Sequence, residues 1–274
     1  MRPLVITALL LFLGSPTLAE VRTTTIDGHR IEYEIAGSSK VTVLFESGGG
    51  WGLGTWEPIF AEAAKTARVI RYSRVGFGNS AKTDRRWTSD EYAHHAHLLL
   101  AELGIAEPVV LVGHSYGGDV ARQFAAAHPE ETRALLLLDP ASEHDVDLMR
   151  AIDLERANRE IERIKKGDLE VELFAPIIYD IWAKFPKPDY PEIGDIPVTV
   201  IASVRKHEDP QLLFFEDAVR DAWGKLHQAW AGAFPRGRAV LTEKSGHDIH
   251  IDEPELVLRE LRLLLARLDS PAEE

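Results

Sequence analysis

Short apolar runs recur along the 274-residue chain at residues 41–45, 68–72, 108–112, 133–139 and 198–202, each set off by glycine, proline or charge. Their length and their Val, Ile and Leu content predict strands buried on both faces of a parallel sheet. Residues 22–36 predict two short strands around a turn at Asp27-Gly28, and residues 238–242 a last strand. Between these runs the apolar spacing turns helical: 56–66, then 89–103 with one buried face, 119–127 ended by His128-Pro129, 211–233, and a closing amphipathic stretch at 254–268. Alternating strands and helices predict an α/β fold with a mostly parallel central sheet covered by helices on both faces. Residues 143–194 break the alternation: they are charged, helical in pattern to about Lys166, and then punctuated by Pro176, Pro186, Pro188 and Pro191. The expected organisation is a core from 20–142 and 195–274, with a small helical lid from 143–194 over the carboxyl ends of the strands, where open α/β sheets bind ligands.

The strand at 108–112 runs directly into Gly113-His-Ser115-Tyr-Gly117, with a helix following. A turn this tight lifts the Ser115 side chain clear of the sheet, and the flanking glycines leave the backbone free to bend and pack closely. The helix start aims unpaired N–H groups at the same place, so Ser115 is a candidate nucleophile and the backbone N–H of Tyr116 a candidate oxyanion donor.

Residues 1–19 differ in kind: Arg2 precedes an apolar run from Leu4 to Leu13, and Thr17-Leu-Ala19 resembles a small-residue cleavage site. The run is short for a bilayer span, so a cleaved signal peptide is expected, with an uncleaved N-terminal anchor as the alternative. The remainder carries 30 basic against 44 acidic side chains. Such a surface repels nucleic acid and anionic lipid, and no membrane integration is expected after cleavage. There is no cysteine, which excludes disulfides, a thiol nucleophile and thiolate metal sites.

A serine nucleophile needs a base. His247, in Ser245-Gly-His just beyond the last predicted strand, is the candidate, with His250 its rival; His114 and His128 are not. His94 and His97 stand at i, i+3 on a helix without a carboxylate at matching spacing, so no metal is expected there. Four ordered pieces, Ser47–Trp51, Tyr72–Ser80, the turn around Ser115, and Ser245-Gly-His247, resemble the α/β-hydrolase family across essentially the whole chain after residue 19. The resemblance implies a second oxyanion N–H from the glycine-rich loop, mapped onto Gly49 with Gly50 as the alternative. It also implies an acid orienting the histidine: Asp139 at the end of the sixth strand, or Asp209 or Glu208 after the seventh. The Tyr72–Ser80 segment lacks the context of a phosphate loop and is expected to be a structural turn beneath the site.

The implied activity is an exported, periplasmic or secreted, serine hydrolase acting on a small, largely uncharged ester or lactone, with no metal or organic cofactor. Amide, peptide or C–C bond hydrolysis, and a non-catalytic ligand-binding role, stand as alternatives. Phe174, Tyr179, Trp182 and Phe185 are expected either to roof an apolar pocket or to form the lid's own core.

Overall fold

The computed structural model describes residues 20–183 and 192–268. The expected signal peptide, Phe185 and three of the four lid prolines lie outside the described residues. An antiparallel pair, β1 (Arg22–Ile26) and β2 (His29–Ala36), turns at Asp27-Gly28, where both residues have positive φ. Six further strands follow: β3 (Thr42–Glu46), β4 (Arg68–Tyr72), β5 (Val109–His114), β6 (Thr132–Leu138), β7 (Val198–Ser203) and β8 (Gly237–Thr242). They form one eight-stranded sheet in the order β1-β2-β4-β3-β5-β6-β7-β8, parallel from β4 to β8.

Both faces of the central strands are apolar, which explains why they read as continuous runs rather than as alternation. Val43, Phe45, Val110, Val112, Leu136 and Leu138 pack on one face with α1 (Glu57–Ala63) and α9 (Pro254–Leu268). The intervening Leu44, Leu111, Leu135 and Leu137 pack on the other with α2 (Ser89–Glu102) and α3 (Tyr116–Ala127). Between β6 and β7 come α4 (Asp145–Ile152), α5 (Leu154–Glu170) and α6 (Ile178–Ala183); α7 (Asp217–Gly232) and the single-turn α8 (Ile249–Asp252) flank β8.

Two predicted helices are divided by contacts that sequence periodicity does not carry. The helical stretch after residue 143 breaks at Asp153, whose side chain accepts the Arg156 N–H and starts α5 afresh. The stretch at 211–233 breaks at the extended Glu216, leaving a 3₁₀ turn at Leu213–Phe215 before α7. Buried Glu160 of α5 accepts the Leu213 N–H at 2.7 Å, and Arg156 pairs with Glu216, so α5 dictates the break. Val146, Met149, Ala157 and Ile161 then close a small core with Leu213 and Val219.

Two glycines give opposite expectations. A Cβ on Gly117 falls 2.2 Å from the Glu46 carbonyl oxygen, a backbone atom with nowhere to go. Gly117→Ala should lower the urea midpoint by the equivalent of about 1–3 kcal/mol. A Cβ on Gly167, inside α5, meets nothing within 4 Å, so Gly167→Ala should raise the midpoint by about 0.5–1 kcal/mol through helix propensity alone.

Candidate active site

Ser115 sits between β5 and α3 with φ +51° and ψ −123°, a conformation that costs a non-glycine residue about 1–3 kcal/mol. Its backbone is stitched in place: the N–H donates to Leu138 O at 3.1 Å, and the carbonyl accepts from Gly118 N–H and Ala141 N–H at 2.8 and 3.1 Å. Val109 to Val112 of β5 are fully buried, and each such side chain contributes about 1.5–3 kcal/mol, so one or two of them offset the strain. Close approaches on three sides require the flanking glycines: a Cβ on Gly113 would meet Gly117 O at 2.6 Å, one on Gly117 the end of β3, and one on Gly118 the ring of Pro140.

Ser115 lines a cavity of about 650 Å³ together with Gly48, Gly49, Tyr116, Asp139 and His247. All five sequence-predicted site residues therefore meet at one place. His247 presents a half-exposed ring, and its Nδ1 lies 2.8 Å from Asp139 Oδ2. Glu208 and Asp209, the other acids considered, lie in the loop after β7 and face solvent. His250, the rival base, is fully buried with Nε2 bonded to Thr55 Oγ1 at 2.9 Å, and burial holds its pKa down at about 4.

Asp139 is itself at positive φ, +38°, where β6 ends, and its N–H donates to Ile201 O of β7. Its carboxylate accepts three N–H bonds: from His247 on Oδ2, and from Ser203 N–H (2.9 Å) and Trp223 Nε1–H (2.8 Å) on Oδ1. Burial works to raise its pKa, but the bonds and charge of His247, the Trp223 donor and the nearby Arg220 guanidinium outweigh it and hold the carboxyl below its usual value. Loss of water around the ring works to lower the His247 pKa in turn, and the Asp139 bond and charge leave it above that of an ordinary imidazole. Ser203 joins these parts: its N–H holds Asp139, its Oγ donates to Ser245 O in the His247 loop at 2.8 Å, and its carbonyl accepts from Arg220 Nη2. Beneath the same loop, buried His114 approaches the His247 carbonyl with Nε2 at 3.0 Å, its ring 4.7 Å from that of His247; burial keeps His114 neutral.

The glycine-rich loop is held from below. Arg74 donates from Nη1 to Ser47 O at 2.6 Å and from Nη2 to Gly48 O at 2.8 Å. A trans peptide sets its C=O and N–H on opposite sides, so fixing the Gly48 carbonyl toward Arg74 turns the Gly49 N–H the other way. Gly50, at φ +80°, packs under Leu173 and does not line the cavity. Arg74 is buried and lies 3.3 Å from Glu46 Oε2, while the Tyr72 hydroxyl donates to Glu46 Oε1. Complete burial nonetheless pushes the Glu46 pKa up to about 7. Tyr72 and Arg74 both belong to the segment read from sequence as a structural turn, and this is what that turn holds.

The cavity wall is aromatic, but most of it comes from elsewhere than the sequence suggests. Phe174 and Ile181 line it from the β6–β7 segment; Trp51, Phe214, Phe215 and Trp223 supply the rest. Tyr179 is 61% exposed and Trp182 packs into the small α4–α5 core, so neither roofs the cavity. Asp180 of α6 ties this segment down, accepting from the Tyr116 hydroxyl (2.6 Å) and from Ser89 N–H (2.9 Å). Ser203, Trp223, Arg220 and Asp180 escaped the sequence reading because none sits in a local motif, and Arg74 because its segment reads from sequence only as a structural turn. Among the described residues no helix is long and apolar enough to cross a membrane.

Residues 41–172 match the family model described as alpha/beta hydrolase fold. The chain is 26% identical over 237 residues to the uncharacterized protein YqjL of Bacillus subtilis, covering 86% of this chain and 88% of that one. It is 34% identical over 122 residues to the 2-hydroxymuconate semialdehyde hydrolase of Pseudomonas sp., covering 39% of this chain and 43% of that enzyme. Among solved structures it is similar to a thermophilic esterase from Thermogutta terrifontis, with TM-score 0.64, 21% identity, and coverage of 92% and 100%. A membrane phospholipase A described as a bacterial virulence factor superposes with TM-score 0.68, 21% identity, and coverage of 92% and 87%. With its sheet order and its matching segment at residues 41–172, the chain has the fold of the alpha/beta hydrolase family.

Proposed function

We propose that this chain is an exported serine hydrolase that cleaves a small, largely uncharged ester or lactone through an acyl-enzyme on Ser115. The observation that carries the reading is the His247 ring, bonded through Nδ1 to the buried Asp139 carboxylate and sharing one cavity with a serine on a strained turn. Strain of this kind persists where the surrounding structure over-determines it, often at sites of chemistry. With Nδ1 directed to Asp139, His247 keeps Nε2 for the Ser115 proton.

His247 takes that proton as Ser115 Oγ attacks the acyl carbon. The backbone N–H groups of Tyr116 and Gly49 receive the oxyanion, each worth about 3–4 kcal/mol to the transition state. His247 then protonates the leaving alkoxide, and the same base activates a water that releases the acid and restores Ser115. The lining supports exclusion of anionic substrates: Asp145 and Asp248 stand on the cavity wall, and Arg220, the one arginine there among the described residues, is engaged with Ser203 and close to Asp139. Export rests on the pattern of residues 1–19. The similarity to 2-hydroxymuconate semialdehyde hydrolase favours one second reading, hydrolysis of an activated C–C bond by the same three side chains.

The chain should hydrolyse p-nitrophenyl esters between acetate and decanoate, with an optimum at short acyl length, and Ser115→Ala should lose this turnover and its labelling by a fluorophosphonate. Equal turnover by the variant would refute the acyl-enzyme; a strong preference for a vinylogous diketone over matched esters would favour C–C cleavage.

Because His247 must be neutral to act and its pKa lies above 6.5, kcat/KM should fall as pH drops through a midpoint above that value. Asp139→Asn removes the charge that raises it, so the midpoint should move down while kcat drops by about 10⁴-fold. Trp223→Phe keeps an aromatic side chain but removes a donor to the carboxylate, and should lower kcat/KM by about tenfold while moving the midpoint up. Initial rates from pH 5 to 9 test all three forms.

A further inference from the structure

The segment over the cavity is pinned at a single carboxylate oxygen. Asp180 Oδ2 accepts the Tyr116 hydroxyl at 2.6 Å and, at 2.9 Å, the N–H of Ser89 at the start of α2. Four residues earlier, Pro176 O accepts the Trp87 N–H at 2.7 Å. Between these anchors Ile177 is fully buried, in the core that α2 and α3 share. Phe174 and Ile181, at the two ends of the pinned stretch, line the cavity. We propose that Asp180 is a specificity-determining residue: it fixes Phe174, Ile177 and Ile181 as a roof over the oxyanion loop, and that roof restricts the acyl group to short chains. The inference rests on the acyl-enzyme reading above.

The roof bears on both oxyanion donors. Tyr116, whose backbone N–H is one of them, carries the hydroxyl that holds Asp180. Gly49, the other, lies directly beneath: a Cβ there would fall 2.9 Å from Ile177 Cδ1, and 3.8 Å from Phe174 Cε1 and from Tyr116 Cβ. A carbonyl oxygen received by these two N–H groups sets its acyl carbon at the edge of the roof. His247 must reach the leaving oxygen, so the acyl chain is the group that runs on beneath Phe174 and Ile181.

The pin matters because α6 is only six residues long, and a helix of that length does not hold itself together in water. Its position is set by what it is tied to. Burial, and then the charge of Asp180, keep the Tyr116 hydroxyl protonated well beyond the ordinary tyrosine range, so it donates at any pH where His247 works. Both bonds end on the same oxygen, and an asparagine amide oxygen in that place can accept them both. Sequence spacing misses the arrangement because Asp180 stands 64 residues from Tyr116 and 91 from Ser89.

The test is the acyl-chain profile of the full chain on p-nitrophenyl esters from acetate to decanoate, with kcat and KM read separately, alongside hydrogen exchange of the Ile177 and Ile181 amides. Asp180→Ala should raise the octanoate-to-butyrate ratio of kcat/KM at least about tenfold, chiefly through a lower KM for octanoate. It should speed exchange of both amides and leave the His247 midpoint in place. Tyr116→Phe, which removes one of the two donors, should move the ratio the same way by a smaller factor. Asp180→Asn should restore the original ratio, which separates loss of the pin from loss of fold. An equal fall in kcat/KM at every chain length in Asp180→Ala would overturn the proposal, as would unchanged exchange. If the unsubstituted chain neither turns over esters nor takes a fluorophosphonate, the acyl-enzyme reading fails and this inference with it; turnover with an unmoved ratio fails this inference alone.

Discussion

The first turn of α3 lies directly against the last carbonyls of β3, and the candidate site depends on that approach. Only a residue without a Cβ passes there, since any side chain at 117 would enter the van der Waals space of the Glu46 and Ser47 oxygens. The approach brings the Tyr116 backbone beside the glycine-rich loop that leaves β3. It also forces Ser115 into its positive-φ conformation. The strain is small against the burial of β5, but it is concentrated at one residue, and hydrogen bonds to Leu138, Gly118 and Ala141 hold it there.

Electrostatics of the site follow from how few charges are kept. An isolated buried carboxylate is costly, and Asp139 remains ionised because three N–H donors and a neighbouring guanidinium replace its water. Around it, His114, His227 and His250 are neutral because burial disfavours their charged forms. His247 faces both the carboxylate and the open cavity. On the other side of Ser115, the buried Arg74–Glu46 pair organises the loop: aromatic rings of Phe77, Tyr92 and Tyr116 surround the guanidinium at 5.3–5.5 Å, and the loop carbonyls are its shortest hydrogen-bond partners.

What could be read from residue order was local. The apolar runs specify strands because a parallel strand buried on both faces admits little else. Gly113-His-Ser115-Tyr-Gly117 specifies a tight turn because both the bend and the close packing lie within five residues. Ser245-Gly-His247 after the last strand marks an exposed imidazole for a similar reason. The choice among Asp139, Glu208 and Asp209 was of another kind, and sequence left it open.

Register across the sheet brings Asp139 to His247: β6 pairs with β7 and β7 with β8, so the end of β6 and the loop after β8 converge, with Ser203 between them. The same holds for Trp223, Arg220 and the Phe214-Phe215 wall. Hydrophobic periodicity reports which side of an element is buried, not which distant residue lies opposite. By itself, then, the sequence determined the strands, the serine turn and the exposed histidine of this protein. The tertiary structure decided the partners of those residues, because long-range contacts arise from strand register and helix packing that no local pattern encodes.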